Sequence, residues 1–376
     1  MNILQVGTFP YPSPQGSQVY VQGIVRGLAS RGHNVELMCY GHGVGDTDEE
    51  RVLGVRLLRT PQFNYNNMRA GPDITKIFLD LIMAIKFRHT QPDVIHVHNY
   101  EAPVVACFAK LLFRHVRGVP LVYSAHNTMQ DELPTYLPES MYKIAETFGK
   151  VLDRTIPRQM DHCIVLREQS ETILKGLGCS SVTTVMPGID PQEFHSKESL
   201  RPLIPRQMRV GKWVVYAGNP DEYQDLGVLM SVMDRFPEVN LVFVSASDSS
   251  RWERKNGQVY RVQTTDFSLV QAIISAAQIA IVPRQNCTGF PIKVLNYLAL
   301  GTVTICAEGS SVDLPGVIPV PNGDVDGFCQ ELQYWLDNLE ECETLGYRAS
   351  QYVKEHCTWD AQAEKLERIY TGLLKR

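Results

Sequence analysis

The sequence predicts an α/β protein made of two Rossmann-like domains, each a parallel sheet covered by helices on both faces. Three observations carry that expectation. Short β-favouring runs alternate with amphipathic helical segments along the whole chain. The alternation pauses at a polar, proline-bearing stretch, Ser196–Arg209, and then restarts. A chain of 376 residues with 44% hydrophobic content can also bury two cores.

In the first half, strands are expected at Asn2–Val6, Asn34–Cys39, Val55–Leu58, Val94–Val97, Leu121–Ser124, His162–Leu166 and Val182–Val185. Helices are expected at Val19–Arg31, with Gly32 as its stop, and at roughly Ile74–Arg88, Pro103–Arg114 and Glu139–Arg158. After Ser196–Arg209, read as a linker, the second half offers strands at Trp213–Ala217, Asn240–Ser245, Val259–Val262, Ile279–Val282, Thr302–Cys306 and Val317–Val320, and a helix at Leu226–Arg235. Ligands of such sheets sit at the carboxyl ends of the strands, so two domains facing each other are expected to share a central cleft.

Composition narrows the function. Lys plus Arg is 36 against Asp plus Glu 41, a net charge of −5, which is not the balance of a nucleic-acid binder. No stretch of 18 uncharged apolar residues offers a membrane span, and the opening MNILQVGTFPYP reads as a buried strand rather than a secretory leader. The nine cysteines are scattered without a C-x-x-C pair or a Cys/His metal spacing, so reduced thiols in a cytoplasmic protein are expected. No G-x-G-x-x-G follows the first strand, which disfavours a nicotinamide enzyme.

The most informative stretch is Ile279–Gly301, IAIVPRQNCTGFPIKVLNYLALG. A strand ends at Pro283, a polar loop follows, and Thr288-Gly289-Phe290-Pro291 is expected to open a helix running to Gly301. That arrangement makes an anion site. The segment resembles the donor motif of retaining GT-B glycosyltransferases of family 4. Further resemblances fall in the family's order: GTFPYPSPQGSQVYVQGIVRGLASRGHNVELMC to its first βαβ unit, PDVIHVHN and PLVYSAHN to its fourth and fifth strands, VTTVMPGIDPQEF to the end of its first domain, and TWDAQAEKLERIYTGLL to its closing crossover helix. The resemblance covers nearly the whole chain and implies the GT-B architecture. Residues 1–195 would form an acceptor-side domain, rejoined by a crossover helix at 360–376, and residues 210–359 a nucleotide-sugar-binding domain. It also implies hexosyl transfer from a nucleotide-diphosphate sugar, with UDP or GDP as the nucleotide, to a glycan or lipid-linked acceptor. No cofactor and no metal are implied, and the setting would be polysaccharide or lipopolysaccharide assembly in the cytoplasm.

The chain departs from the family at the donor motif. Two glutamates are usual there, and here the positions read Thr288 and Asn296. A threonine is shorter and neutral against the donor sugar. An amide at 296 can still bond ribose hydroxyls, but without a charge-assisted bond. Gly289 and Phe290 keep the amides of the turn. The loop after the first strand of the second half usually brings an arginine and a lysine to the diphosphate; here Asn219 and Gln224 stand near those positions, and Gly218–Gly227 holds three acids and no cation. Arg284 and Lys293 are the candidates to supply the charge, Arg284 as a bidentate fork; a solvated loop arginine is the alternative. Lys293 lies against the helix dipole unless a ligand compensates it.

In the first half, Gly16 matches one of two family glycines that let backbone approach the donor or acceptor, and Ser17 replaces the other. The resemblance gives His126, at the end of the fifth strand, a catalytic contact with the transferred sugar, by donation to a hydroxyl or to developing charge. His98, at an equivalent strand end, is the weaker, acceptor-side candidate, and His96 reads as structural. Met129–Met141 reads as a mobile acceptor loop. The apolar helix at Pro103–Arg117 carries Lys110, Arg114 and Arg117, so peripheral contact with a membrane is an expectation beside simple sheet covering. Two D-x-D triplets, Asp46–Asp48 and Asp324–Asp326, read as solvated loops rather than metal sites. Two other functions stay open: a non-catalytic sugar-nucleotide-binding or scaffold protein of a glycan assembly cluster, and a GT-B sugar-nucleotide epimerase, which would need an acid pair near the cleft.

Overall fold

A computed structural model of the chain describes residues 1–13, 15–62, 74–220, 224–252, 258–286 and 289–376. The chain divides into two compact units. The first comprises Met1–Gly188, Thr288–Phe290 and Trp359–Arg376, and the second Ile189–Cys287 and Pro291–Thr358.

The first unit is built on a wholly parallel seven-stranded sheet: β1 (Asn2–Pro10), β2 (Asn34–Tyr40), β3 (Arg56–Arg59), β4 (Val94–His98), β5 (Leu121–Ala125), β6 (His162–Val165) and β7 (Val182–Thr184). Their order is β3-β2-β1-β4-β5-β6-β7, so the crossover reverses direction between β1 and β4. Ligands favour that position, where loops diverge from the strands' carboxyl ends. Register sets Gly7 of β1 opposite His98 of β4, and His98 opposite Ser124 of β5. All strands expected of the first half form, each within a few residues of its expected ends. β4 and β5 are buried along their whole length, as near-continuous apolar runs require.

The helix Trp359–Leu374 belongs to this unit and packs on the helix Gly16–Ser30. Two glycines one turn apart permit the approach. A Cβ on Gly23 would lie 2.2 Å from the Trp359 ring, and one on Gly27 would lie 2.9 Å from the Trp359 carbonyl oxygen. Ala363, Leu366, Tyr370 and Leu373 of the late helix thereby join a core with Ile3, Val21, Ile24 and Leu28. Arg31, just past the early helix, bonds Asp360 at 3.0 Å and Glu367 at 2.9 Å. Gly32 follows at φ +82°, a left-handed turn that a side chain would strain.

The second unit repeats the plan with a six-stranded parallel sheet: β8 (Lys212–Ala217), β9 (Val239–Ser245), β10 (Val259–Gln263), β11 (Ile279–Val282), β12 (Val303–Ala307) and β13 (Val317–Val320), in the order β10-β9-β8-β11-β12-β13. Here too each expected strand forms. The stretch read as a linker is folded instead. Ser196 Oγ accepts from Ser199 N at 3.3 Å to start the turn Lys197–Leu200, 3₁₀ turns follow at Arg201–Leu203 and Arg206–Arg209, and Leu200 and Met208 are buried. Its leucines and methionine decide this, while its prolines and charges suggested an open connection. Ile189–His195 group with the second unit rather than the first.

Candidate functional site

The carboxyl ends of β1, β2 and β4 in the first unit surround a cavity of about 350 Å³. Ser17 lines it, half-buried in the first turn of the helix Gly16–Ser30. Gly16, the first residue of that helix, is exposed. The deeper lining is charged. Lys76 donates to Glu101 Oε1 at 3.2 Å, and Thr8 Oγ1 donates to Glu101 Oε2 at 3.1 Å. Burial raises the Glu101 pKa against the lowering effect of Lys76. Glu132 accepts from Asn127 Nδ2 at 2.9 Å and from the Tyr136 hydroxyl. Asn99 holds φ +63°, a left-handed conformation uncommon outside glycine.

Glu132 and Tyr136 come from the segment expected to be a mobile acceptor loop. The structure packs it: a helical turn at Met129–Glu132 and 3₁₀ turns at Leu133–Tyr136 and Glu139–Met141, with Met129 and Leu133 buried against Ala145. The Asp153 carboxylate accepts from the backbone N–H groups of Met129 and Gln130 at 2.8 and 2.9 Å. Apolar residues spaced between the polar ones were the available signal.

Beside this cavity the histidines form one buried relay. His98 Nε2 lies 2.7 Å from Gln5 Oε1, and His98 Nδ1 lies 3.1 Å from His126 Nε2. An amide oxygen only accepts, so His98 carries its proton on Nε2 and offers a lone pair at Nδ1. His126 then donates from Nε2 to His98. Burial lowers the His126 pKa to about 3, so the ring is neutral and its Nδ1 is an acceptor, buried without a protein partner. His98 is fully buried within the relay. His96 bonds the Tyr370 hydroxyl at 2.6 Å and Ser124 Oγ at 2.7 Å, the structural role expected of it.

In the second unit the cation missing from the β8 loop arrives from another element. Lys293 is the second residue of the helix Ile292–Ala299. Its Nζ donates to the Tyr216 hydroxyl and to Gln224 Oε1, both at 3.0 Å, and lies 4.4 Å over the Tyr216 ring. Gly218, at φ +152°, admits it: a Cβ there would sit 2.7 Å from Nζ. The Tyr216 hydroxyl donates to the Asn219 carbonyl at 3.1 Å, and the Asn219 side chain is exposed. Tyr297 closes the end of β8, accepting from Ala217 N at 2.8 Å and donating to Ala217 O at 3.1 Å. Sequence reasoning missed Tyr216 and Tyr297, because each reads as an ordinary apolar position.

Arg284, half-buried after β11, donates from Nε to the Asn286 carbonyl at 2.9 Å, and the Arg284 carbonyl accepts from Ser310 Oγ at 2.6 Å. The helix expected to open at Thr288–Pro291 begins at Ile292, so Gly289 and Phe290 precede it and the Asn296 side chain is half-buried within it. Gly289 and Phe290 group with the first unit, where Phe290 packs against its core and a Cβ on Gly289 would lie 2.6 Å from Asn127 Oδ1. Thr288 lies outside the described residues. The aspartates of the D-x-D triplets serve the backbone and an ion pair. Asp46 accepts from Asp48 N at 2.8 Å, Asp324 accepts from Gly327 N at 2.9 Å, and Asp326 pairs with Arg235. The eight described cysteines are free thiols.

Two units, each a parallel sheet of Rossmann-like plan, are the architecture of GT-B proteins, and the comparisons supply the family. Glycosyltransferase Family 4 matches residues 14–193, and Glycosyl transferases group 1 matches residues 211–338. Together they span most of both units, and the chain belongs to this glycosyltransferase family. Sulfoquinovosyl transferase SQD2 of Arabidopsis thaliana is 22% identical over 96% of this chain and 72% of its own length. The phosphatidyl-myo-inositol mannosyltransferase of Mycobacterium tuberculosis is 23% identical over 82% of this chain and 78% of its own. Among solved structures, sucrose-phosphate synthase from Thermosynechococcus elongatus superposes with a TM-score of 0.74 at 18% identity, covering 100% of this chain and 99% of that one. Anabaena HepE in complex with UDP and glucose gives 0.72 at 13% identity, covering 98% and 99%.

Proposed function

We propose that the protein transfers a hexosyl unit, with retention, from a UDP- or GDP-linked sugar to a glycan or lipid-linked acceptor, and that cationic side chains rather than a metal carry the diphosphate charge. The observation that carries this reading is Lys293, held at the end of β8 against Gly218, Tyr216 and Gln224. In transfer, the bond from the anomeric carbon to the diphosphate oxygen breaks and the acceptor oxygen bonds to the same face. The acceptor's proton passes to the leaving phosphate. Lys293 stabilises the charge growing on that phosphate, Arg284 adds a planar fork, and Gly289 and Phe290 offer backbone amides. Asn296 and Thr288 bond ribose and sugar hydroxyls as neutral groups, Asn219 borders the diphosphate, and Gly16 leaves room for the ligand. His126 accepts from a donor-sugar hydroxyl at Nδ1.

Thermal unfolding with UDP, GDP and ADP tests the donor site, because a ligand of the folded state stabilises it by RT ln(1 + [L]/Kd). One nucleotide should raise Tm, and Lys293→Met should cut the shift while leaving the ligand-free Tm within a few degrees. No shift with any nucleotide would overturn the reading.

A peripheral membrane contact is part of the proposal. The helices Ile74–Lys86 and Glu101–Leu112 pack together, and both expose large apolar side chains: Phe78 at 69%, Ile77 at 64%, Leu111 at 72% and Val104 at 61%. Exposed Arg88, Arg114 and Arg117 follow these helices. Such a face suits an anionic lipid surface and repels a second copy of itself. Flotation with phosphatidylglycerol vesicles should recover the protein, and salt or Phe78→Ser with Leu111→Ser should release it. Equal recovery with phosphatidylcholine vesicles would sink this contact.

A further inference from the structure

The hydrogen bonds that end at His126 run deeper into the first unit than the pair His98–His126. The Tyr20 hydroxyl donates to the Val185 carbonyl at 3.3 Å and is also hydrogen-bonded to the Ser124 side chain. Ser124 Oγ lies 2.7 Å from His96 Nε2, and His96 Nδ1 lies 2.6 Å from the Tyr370 hydroxyl. Gln5 Nε2 bonds that hydroxyl at 3.4 Å, and the oxygen of the same amide meets His98, which meets His126. Tyr20, Ser124, His96, Tyr370, Gln5 and His98 are fully buried, so bulk water offers them no other partner.

Taken singly, these groups can serve in either sense. A neutral imidazole has one N–H and one lone pair, a hydroxyl donates and accepts, and an amide can turn either end to a neighbour. Burial lowers the pKa of His96, His98 and His126, so all three rings are neutral, and it raises those of Tyr20 and Tyr370, which stay hydroxyls. The chain therefore has two complete polarities, related by reversing the bonds between Ser124 and His126. One puts the His126 proton on Nε2, the other on Nδ1. A backbone carbonyl breaks the tie, because it only accepts. Val185 takes the Tyr20 proton, so Ser124 donates to Tyr20 and turns a lone pair to His96. His96 then donates from Nε2 and accepts from Tyr370 at Nδ1. The Tyr370 oxygen is left to accept from the Gln5 NH₂, which leaves the Gln5 oxygen facing His98. The polarity arrives at His126 with the proton on Nε2.

We propose that Tyr20 and Tyr370 are positioning residues of the transfer reaction, which fix the His126 tautomer by passing on a polarity set at the Val185 carbonyl. The inference rests on the reading that gives His126 a contact with the donor sugar, and it adds what decides which ring nitrogen carries the proton. Tyr370 lies on the late helix Trp359–Leu374, so the last element of the chain takes part in the chemistry of the fifth strand.

NMR of the whole protein, labelled with heavy nitrogen at histidine, tests it, because the shift of each ring nitrogen reports whether it is protonated. The His126 signals are assigned from the spectrum of His126→Gln. The unmodified protein should show Nε2 protonated and Nδ1 bare. Tyr20→Phe frees Ser124 to donate to His96, so a second His126 signal with the proton on Nδ1 should appear. Tyr370→Phe cuts the chain between His96 and Gln5 and should give the same mixture. Leu366→Val, on the same late helix, loosens packing alone and should leave the tautomer unmoved. Turnover is read as hydrolysis of the nucleotide sugar whose nucleotide raises Tm. In both tyrosine variants kcat should fall about two- to tenfold, following the fraction of wrong tautomer, with the nucleotide Tm shift retained. A single Nε2-protonated His126 in both variants would overturn the proposal, as would a mixed tautomer in Leu366→Val. Mixed tautomers with unchanged kcat would overturn the positioning role. Absence of turnover and of any nucleotide shift in the unmodified protein would fail the transfer reading, and the nitrogen shifts would still decide whether the tyrosines fix the tautomer.

Discussion

A cation in the first turn of a helix works against the dipole, and Lys293 is held there by Tyr216 and Gln224. That geometry makes Gly218 a sensitive neighbour. Gly218→Ala adds a methyl 2.7 Å from Nζ at a φ of +152°, which side chains rarely adopt. We expect donor KM to rise about tenfold, with kcat less affected, in steady-state kinetics; an unchanged KM would show that Lys293 does not contact donor. The histidine relay makes a second residue-scale prediction. Gln5→Met removes the oxygen that fixes the proton on His98 Nε2, and with it the tautomer of His126. The expected result is a fall in kcat of roughly tenfold with the nucleotide Tm shift retained; full activity would remove the relay from the reaction. Little of this was legible in the sequence. His126, Lys293 and Arg284 stood out by residue type and position. Proton ownership depends on which atoms meet across β1, β4 and β5, and periodicity does not encode that.

At the scale of elements, legibility was high for strands and low for connections. Parallel strands such as β4 and β5 are buried on both faces, and their continuous apolar runs are readable one by one. The stretches Met129–Met141 and Ser196–Arg209 are mostly polar, and a few buried residues, Met129, Leu133, Leu200 and Met208, decide that they fold. The contact between the helices Gly16–Ser30 and Trp359–Leu374 can be tested directly. Gly23→Val puts side-chain carbon where the Trp359 ring lies, and overpacking of this kind costs about 1–3 kcal/mol. Thermal unfolding should show a Tm several degrees lower, and combining Gly23→Val with Trp359→Ala should recover part of the loss. A Tm unchanged by Gly23→Val would mean that the helices do not press so closely.

For the whole molecule, buried titratable groups set a pH dependence of stability. His96 and His126 are lowered by burial from 6.5 to about 3. Below 6.5 the unfolded chain takes up protons that the folded chain refuses, so their contribution is complete above that pH and is lost as pH falls. Asp80 and Asp153 are raised by burial from 3.8 to about 6 and oppose this, since the folded form binds their protons first as pH falls through 6. The histidine shifts are larger, so the denaturant midpoint should decline between pH 7 and 4; a flat or rising profile would contradict the buried relay. The return of Trp359–Leu374 to the first unit has a consequence for biosynthesis. Ala363, Leu366, Tyr370 and Leu373 complete a core begun by Ile3, yet a ribosome makes them only after the whole second unit. The amino-terminal domain, usually the first to fold during synthesis, therefore completes its core late. Until Trp359–Leu374 has emerged, the face of the early helix along Gly23 and Gly27 lacks its cover.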